Sequence, residues 1–146
     1  MHALSDEARR ERARERFDRA LALLVDHDME AFAHLWAPEG TMDFPFAVDG
    51  QPERLEGRQA VVDYLAHYTD MVDVRAVEVH AVHPMLDPDT IVVEFEASGV
   101  VVATGLDYAM PYIAVITVGD EGITSYRDYW TLARIASSLP AAAVSA

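Results

Sequence analysis

After Asp73 the apolar residues stop recurring every three or four positions and begin to alternate. Before that point Ala13, Phe17, Ala20, Leu21 and Leu24 repeat at helical spacing, and Val61, Tyr64, Leu65 and Tyr68 do so again. One face of a helix recurs about every 3.6 residues and one face of a strand every second residue, so the switch divides the chain into a helical first half and a stranded second half. Segregated helices and strands imply an α+β domain rather than alternating βαβ units.

Ser5 can cap a first helix over residues 5–25, with Asp6 and Glu7 suited to the positive end of its dipole. Asp28 caps a second, shorter helix whose inner face is Met29, Phe32, Ala33 and Trp36, and Ala37-Pro38-Glu39-Gly40 reads as the turn that stops it. A short strand over 41–44 enters a loop with Pro and Gly, and Gly57 precedes the third helix. Strands are expected over 74–82, 90–103, 108–118 and 123–132, separated by Asp87-Pro88-Asp89, Gly105-Leu106-Asp107 and Gly119-Asp120-Glu121-Gly122. The reading is one domain over 1–138 and a frayed Ala/Ser-rich tail over 139–146. An antiparallel meander bent around helices gathered on one side makes a cone, which encloses a pocket for one small molecule.

Charge narrows what that molecule can be. The chain carries 11 basic residues against 25 acidic ones, a formal charge of -14, and every basic residue is arginine. Six of the arginines lie in residues 1–19, so the acidity belongs to the body of the domain. Such a field disfavours nucleic acid and phosphate- or CoA-bearing substrates. The absence of cysteine excludes disulfides, thiol nucleophiles and thiolate metal sites. No apolar run approaches the roughly 20 residues of a membrane span, and a cytoplasmic protein without membrane partners is expected.

Alternation along the last strand puts Tyr126, Asp128, Trp130 and Leu132 on one face and Ile123, Ser125, Arg127 and Tyr129 on the other. If the first face is concave, desolvation raises the Asp128 pKa and prepares it for proton transfer near neutral pH. Otherwise Asp128 pairs with an arginine or caps a backbone N–H on the rim. The strand over 108–118 is apolar on both faces and reads as central and covered twice. Tyr108 or Tyr112 can donate to a bound carbonyl, or simply pack as core aromatics. His80 and His83 sit at an odd offset that sends their rings to opposite faces, so no metal site is expected. His83 shares the face of Val77, Val79 and Ala81 and so has a route to the cavity. Glu94 and Glu96 oppose Ile91, Val93, Phe95 and Ala97, which turns both acids to an outer surface; Asp43, between Met42 and Phe44, is likewise turned away.

Val25-Asp26-His27-Asp28-Met29-Glu30-Ala31, Asp43-Phe44-Pro45-Phe46, Leu55-Glu56-Gly57-Arg58 and the closing Tyr126-Arg127-Asp128-Tyr129-Trp130 occur in an order that resembles the nuclear transport factor 2-like superfamily. Within it the chain is similar to SnoaL-like polyketide cyclases, phenazine biosynthesis A/B proteins and ketosteroid isomerases. The resemblance implies a cone-shaped curved sheet with three N-terminal helices, and homodimers are common in the superfamily. It also locates departures. The isomerases' carboxylate base falls on Phe44, their oxyanion-binding tyrosine on Ala20 and their protonated aspartate near Ala114, so their arrangement is absent. The Asp-Arg-Asp network of the fold's epoxide hydrolases is not expected either, because Arg127 and Asp128 point oppositely. The acidic residue that the cyclases and phenazine proteins carry in the final strand aligns with Asp128, and the phenazine proteins' ligand-reaching histidine aligns with Tyr64, with Tyr68 one turn on.

These lines imply a cofactor-independent cyclase, isomerase or dehydratase of specialised metabolism acting on an apolar cyclic or polyketide-like molecule, as a homodimer. Asp128 is its acid/base, Tyr64, Tyr108 or Tyr112 polarises a carbonyl, Tyr68 and Tyr126 join the substrate-binding set, and Trp36, Phe44, Met110 and Trp130 shape the pocket. The rival reading is a ligand carrier or assembly partner of the same fold.

Overall fold

The computed structural model describes residues 3–134; the remainder, including the tail expected past Leu139, lies outside the described residues. Helix α1 (Asp6–Val25) begins where the Ser5 hydroxyl accepts the Ala8 N–H at 3.1 Å, and its stripe of Ala13, Phe17, Ala20 and Leu24 is buried. Its arginines have a structural use. Arg9 forms a two-pronged bond with Asp89, at 2.8 and 2.7 Å, and Arg12 reaches Asp120 at 2.8 Å, tying the helix to two turns of the sheet. Helix α2 (Met29–Ala33) is capped by Asp28, whose carboxylate accepts the Ala31 N–H. It is followed by strands β1 (Trp36–Asp43) and β2 (Arg54–Glu56), helices α3 (Arg58–Leu65) and α4 (Tyr68–Met71), and strands β3 (Val72–Pro84), β4 (Thr90–Val101), β5 (Asp107–Gly119) and β6 (Gly122–Tyr129). A 3-10 turn, Leu132–Arg134, comes last.

The strands form one curved mixed sheet in the order β2-β1-β6-β5-β4-β3. From β3 to β6 it is an antiparallel meander, as expected, and β1 joins β6 in parallel. The helices cover the concave face, whose Ile91, Val93, Phe95 and Ala97 on β4 meet Ala114 and Ile116 of β5 in a shared apolar core. The α+β cone therefore stands.

Several local expectations are corrected. Ala37-Pro38-Glu39-Gly40 is part of β1 and not a turn, and Trp36 starts that strand instead of ending α2. The register with β6 is broken between Trp36 and Thr41, which accommodates a proline that has no N–H to pair. Gly40 lies so near β6 that an added Cβ would stand 2.3 Å from the Ile123 carbonyl oxygen. The third helix stops at Leu65, so Tyr68 belongs to α4 rather than to one continuous face. Strand β2 was not anticipated; Leu55 pairs with Met42. Strand β5 is central but covered once, since Ala109, Pro111 and Ile113 on its outer face are exposed.

Strand β3 carries two bulges, which leave Arg75 and His80 outside the register with β4. Each extra residue reverses which side chains face inward. After the second, His83 pairs with Val92 on the outer face, where its Nε2 meets Glu94 Oε2 at 2.7 Å, far from the role of a cavity residue.

Candidate functional site

Among the described residues Asp128 is the one buried charged side chain, 8% exposed. Its strand alternates Tyr126 and Asp128 inward with Arg127 outward, and Arg127 spends its guanidinium on the Tyr129 hydroxyl and ring. No arginine reaches Asp128 from its own strand, which leaves the carboxyl in an apolar wall. It is in register with Ala114 on β5. On the other side, the parallel pairing of Asp43 with Arg127 carries Phe44 to the level of Asp128. Asp43 itself faces away and binds Arg54 at 2.6 Å.

These residues border a cavity of about 590 Å³. Of the residues singled out from sequence, Asp128, Tyr64, Tyr68, Tyr108, Tyr112, Tyr126, Phe44, Met110 and Trp130 all line it. Trp36 does not. It is fully buried behind the wall, 5.6 Å from the Phe32 ring and 5.3 Å from that of Tyr126, with its indole N–H donated to the Thr41 carbonyl. The side chain of Leu132, expected on the Asp128 face, is outside what is described. Sequence reasoning missed the mouth: Gly50, Gln51 and Pro52 come from the loop after β1, and His67, Asp70 and Met71 from the junction of α3 and α4. None of these has a periodicity to betray it, because each arrives from a loop or a four-residue helix.

The electrostatics follow from burial. Desolvation raises the Asp128 carboxyl to about 7, against a hydrogen bond from the Trp130 side chain that pulls it down. Its Oδ1 is buried without a partner. Burial also pushes Tyr68 up to about 12 and Tyr108, Tyr112, Tyr126 and Tyr64 above their ordinary range, with the Asp128 charge adding to the effect on Tyr64, Tyr68, Tyr112 and Tyr126. All five phenols thus stay protonated at neutral pH and remain hydrogen-bond donors. Tyr68 and Tyr112 are hydrogen-bonded to each other. Tyr112 stacks on Phe95 with ring centroids 5.0 Å apart, which fixes its orientation.

The site is thus a titratable carboxyl in an apolar cone with phenols along its wall. The SnoaL-like domain model matches residues 15–126. The chain belongs to that family. This SnoaL-like chain is 35% identical over 120 residues to YesE of Bacillus subtilis, covering 82% of each. It is 33% identical over 118 residues to the PhzA/B-like protein PA3332 of Pseudomonas aeruginosa, covering 81% of this chain and 83% of that one. A crystal structure from Bacillus subtilis superposes with a TM-score of 0.84 at 30% identity, covering 92% of the SnoaL-like chain and 95% of the other. More distant structures share the fold. The epoxide hydrolase/cyclase-like enzyme SalBIII of salinomycin pyran ring formation has a TM-score of 0.70 at 16% identity, over 85% of this chain and 94% of its own. Mycobacterium tuberculosis RV0760c, solved with estradiol-17beta-hemisuccinate, has a TM-score of 0.71 at 18% identity, over 84% and 95%. Among the described residues no helix is long and apolar enough to cross a membrane.

Proposed function

We propose that the protein is a cofactor-independent enzyme that moves a proton on a mostly apolar cyclic or polyketide-like molecule, in a cyclisation, isomerisation or dehydration. The observation that carries this reading is Asp128, a carboxyl held near 7 with an unpartnered oxygen in the wall of a 590 Å³ cavity. Near neutral pH both its acid and its base form are populated, so one residue can accept a proton and return it. The phenols supply the complementary pull. With Tyr112 donating to Tyr68, the Tyr68 proton is free to polarise a carbonyl, and Tyr64 offers a second donor from α3. Phe44, Met110, Tyr126 and Trp130 shape the cavity and keep water from the reacting carbon. A single acid/base contributes only about 10² to 10⁴ in rate, so positioning supplies much of the remainder.

The SnoaL-like membership and the fold shared with SalBIII support a cyclase or isomerase kind of chemistry. The exposed outer face of β5, at Ala109, Pro111 and Ile113, suits a homodimer, which sedimentation velocity tests directly. A second reading is favoured by one observation: Ala20, Phe44 and Ala114, where related isomerases carry polar groups, are buried and apolar, as befits a carrier that binds without reacting.

The molecule that co-purifies with the protein, identified by mass spectrometry, separates the two. Asp128→Asn should retain binding of that molecule and lose turnover by about 10² to 10⁴. Unchanged product formation in the variant removes the acid/base role and leaves the carrier.

A further inference from the structure

Buried polar atoms in native proteins almost always have partners, and an exception calls for a reason. Among the described residues three side-chain atoms are buried and unpartnered: Arg12 Nε, Asp128 Oδ1 and the Tyr108 hydroxyl. Arg12 already spends its other nitrogens on Asp89, Asp120 and the Val118 carbonyl, so its orphan is a leftover of a structural clamp. The other two belong to residues that line the same cavity, and each is more than nine-tenths buried. Leaving them unpaired has a cost that an apolar residue of the same shape would avoid.

The two are not neighbours. Tyr108 stands near the start of β5, whereas Asp128 is in register with Ala114, six residues further along a strand whose pairing with β4 is unbroken. At about 3.3 Å per residue that is about 20 Å of strand. Their surroundings differ accordingly. Asp128 acts on Tyr64, Tyr68, Tyr112 and Tyr126, while Tyr108 senses Tyr68 and Asp73. Between the two orphans the wall is apolar or self-satisfied: Met110 projects inward from β5, and Tyr112 is bonded to Tyr68. The cavity is thus polar at two separated points and apolar between them.

We propose that Tyr108 is a second anchor, its hydroxyl donating to an oxygen at the end of the ligand remote from Asp128, and that the ligand is therefore an elongated, mostly apolar molecule with oxygen functions at both ends. This rests on the reading of the cavity as a ligand site and adds to it a residue that selects among ligands without touching the reacting atoms. A one-ended molecule fills the cone but leaves the Tyr108 hydroxyl unpaired, which discriminates against it.

The test uses two rigid probes of one skeleton long enough for that separation, 4-hydroxy-p-terphenyl and 4,4″-dihydroxy-p-terphenyl, titrated calorimetrically into the full chain and into Tyr108→Phe. Wild-type protein should bind the two-ended probe about tenfold more tightly, the worth of one added hydrogen bond. In Tyr108→Phe the ratio should fall to about one, in a protein whose thermal midpoint is no lower than wild type, since the change removes an unsatisfied hydroxyl. Equal binding of both probes to wild-type protein, or a tenfold ratio that survives in Tyr108→Phe, overturns the second anchor and leaves the ligand cavity standing. Failure of both probes to bind wild-type protein overturns the cavity reading and the anchor together.

Discussion

Asp128 on β6 and Ala114 on β5 are direct register partners, and Ala114 is completely buried. On this side the register partner offers a methyl group instead of a second polar side chain, and Phe44, the residue after Asp43, the register partner of Arg127, lines the same cavity. Nothing on either neighbouring strand stabilises its charge, and this is why burial dominates its proton affinity. The resemblance to ketosteroid isomerases places their protonated aspartate near Ala114. The buried acid of this chain, Asp128, stands on the adjacent strand of the same ladder.

The Asp128 pKa is higher in the folded protein, about 7, than in the unfolded chain, near the ordinary carboxylate value. The native state therefore binds more protons between about pH 4 and pH 7, and stability from this group, complete below pH 4, is lost as pH rises to 7. Asp128→Asn removes that slope. Chemical denaturation should find the variant more stable than wild type at pH 8, by on the order of 3 kcal/mol, and closest to wild type near pH 4. A difference that does not vary with pH would contradict this.

Ligand-induced quenching should come from one tryptophan. Trp130 lines the cavity and Trp36 is sealed behind it. Fluorescence titration with 4-hydroxybiphenyl should show quenching retained in Trp36→Phe and lost in Trp130→Phe. Trp36→Phe should instead lower stability by about 2 kcal/mol, through the void it leaves and the lost bond to Thr41.

Gly99 faces Asp73 at the first bulge of β3, where an added Cβ would stand 1.9 Å from the Asp73 carbonyl oxygen. That contact is with backbone and cannot be relieved by a rotamer change. Gly99→Ala should cost more than about 3 kcal/mol in urea denaturation, and a variant of wild-type stability would show that the bulge yields easily.

How much of this was legible in the sequence depends on whether the pairing was local. The α1 stripe, the inward row of β4 and the inward turn of Asp128 on β6 follow from spacing along single elements. Strand β1 does not, because its partner β6 lies about 85 residues away and imposes extended backbone on a Pro- and Gly-containing segment that reads as a turn. The bulges at Arg75 and His80 carry no composition of their own, so an unbroken alternation wrongly sent His83 toward the cavity. Helical spacing places Trp36 beside Phe32 and so in the pocket; the two rings do lie 5.6 Å apart, but Trp36 comes from a strand and sits behind the wall. Tyr68 lines the cavity from a different helix than its spacing predicts, since α4 begins almost where α3 would have continued.

Asp128 is a carboxyl poised near neutrality in the wall of the cavity. Carbon-13 NMR of the Asp side-chain carboxyls, assigned by comparison with Asp128→Asn and followed from pH 3 to 9, measures it directly. A midpoint near 7 for Asp128 is the predicted result. A midpoint below 5 would contradict this, because a carboxyl already ionised there has found a partner and is no longer available as the acid of the proposed reaction.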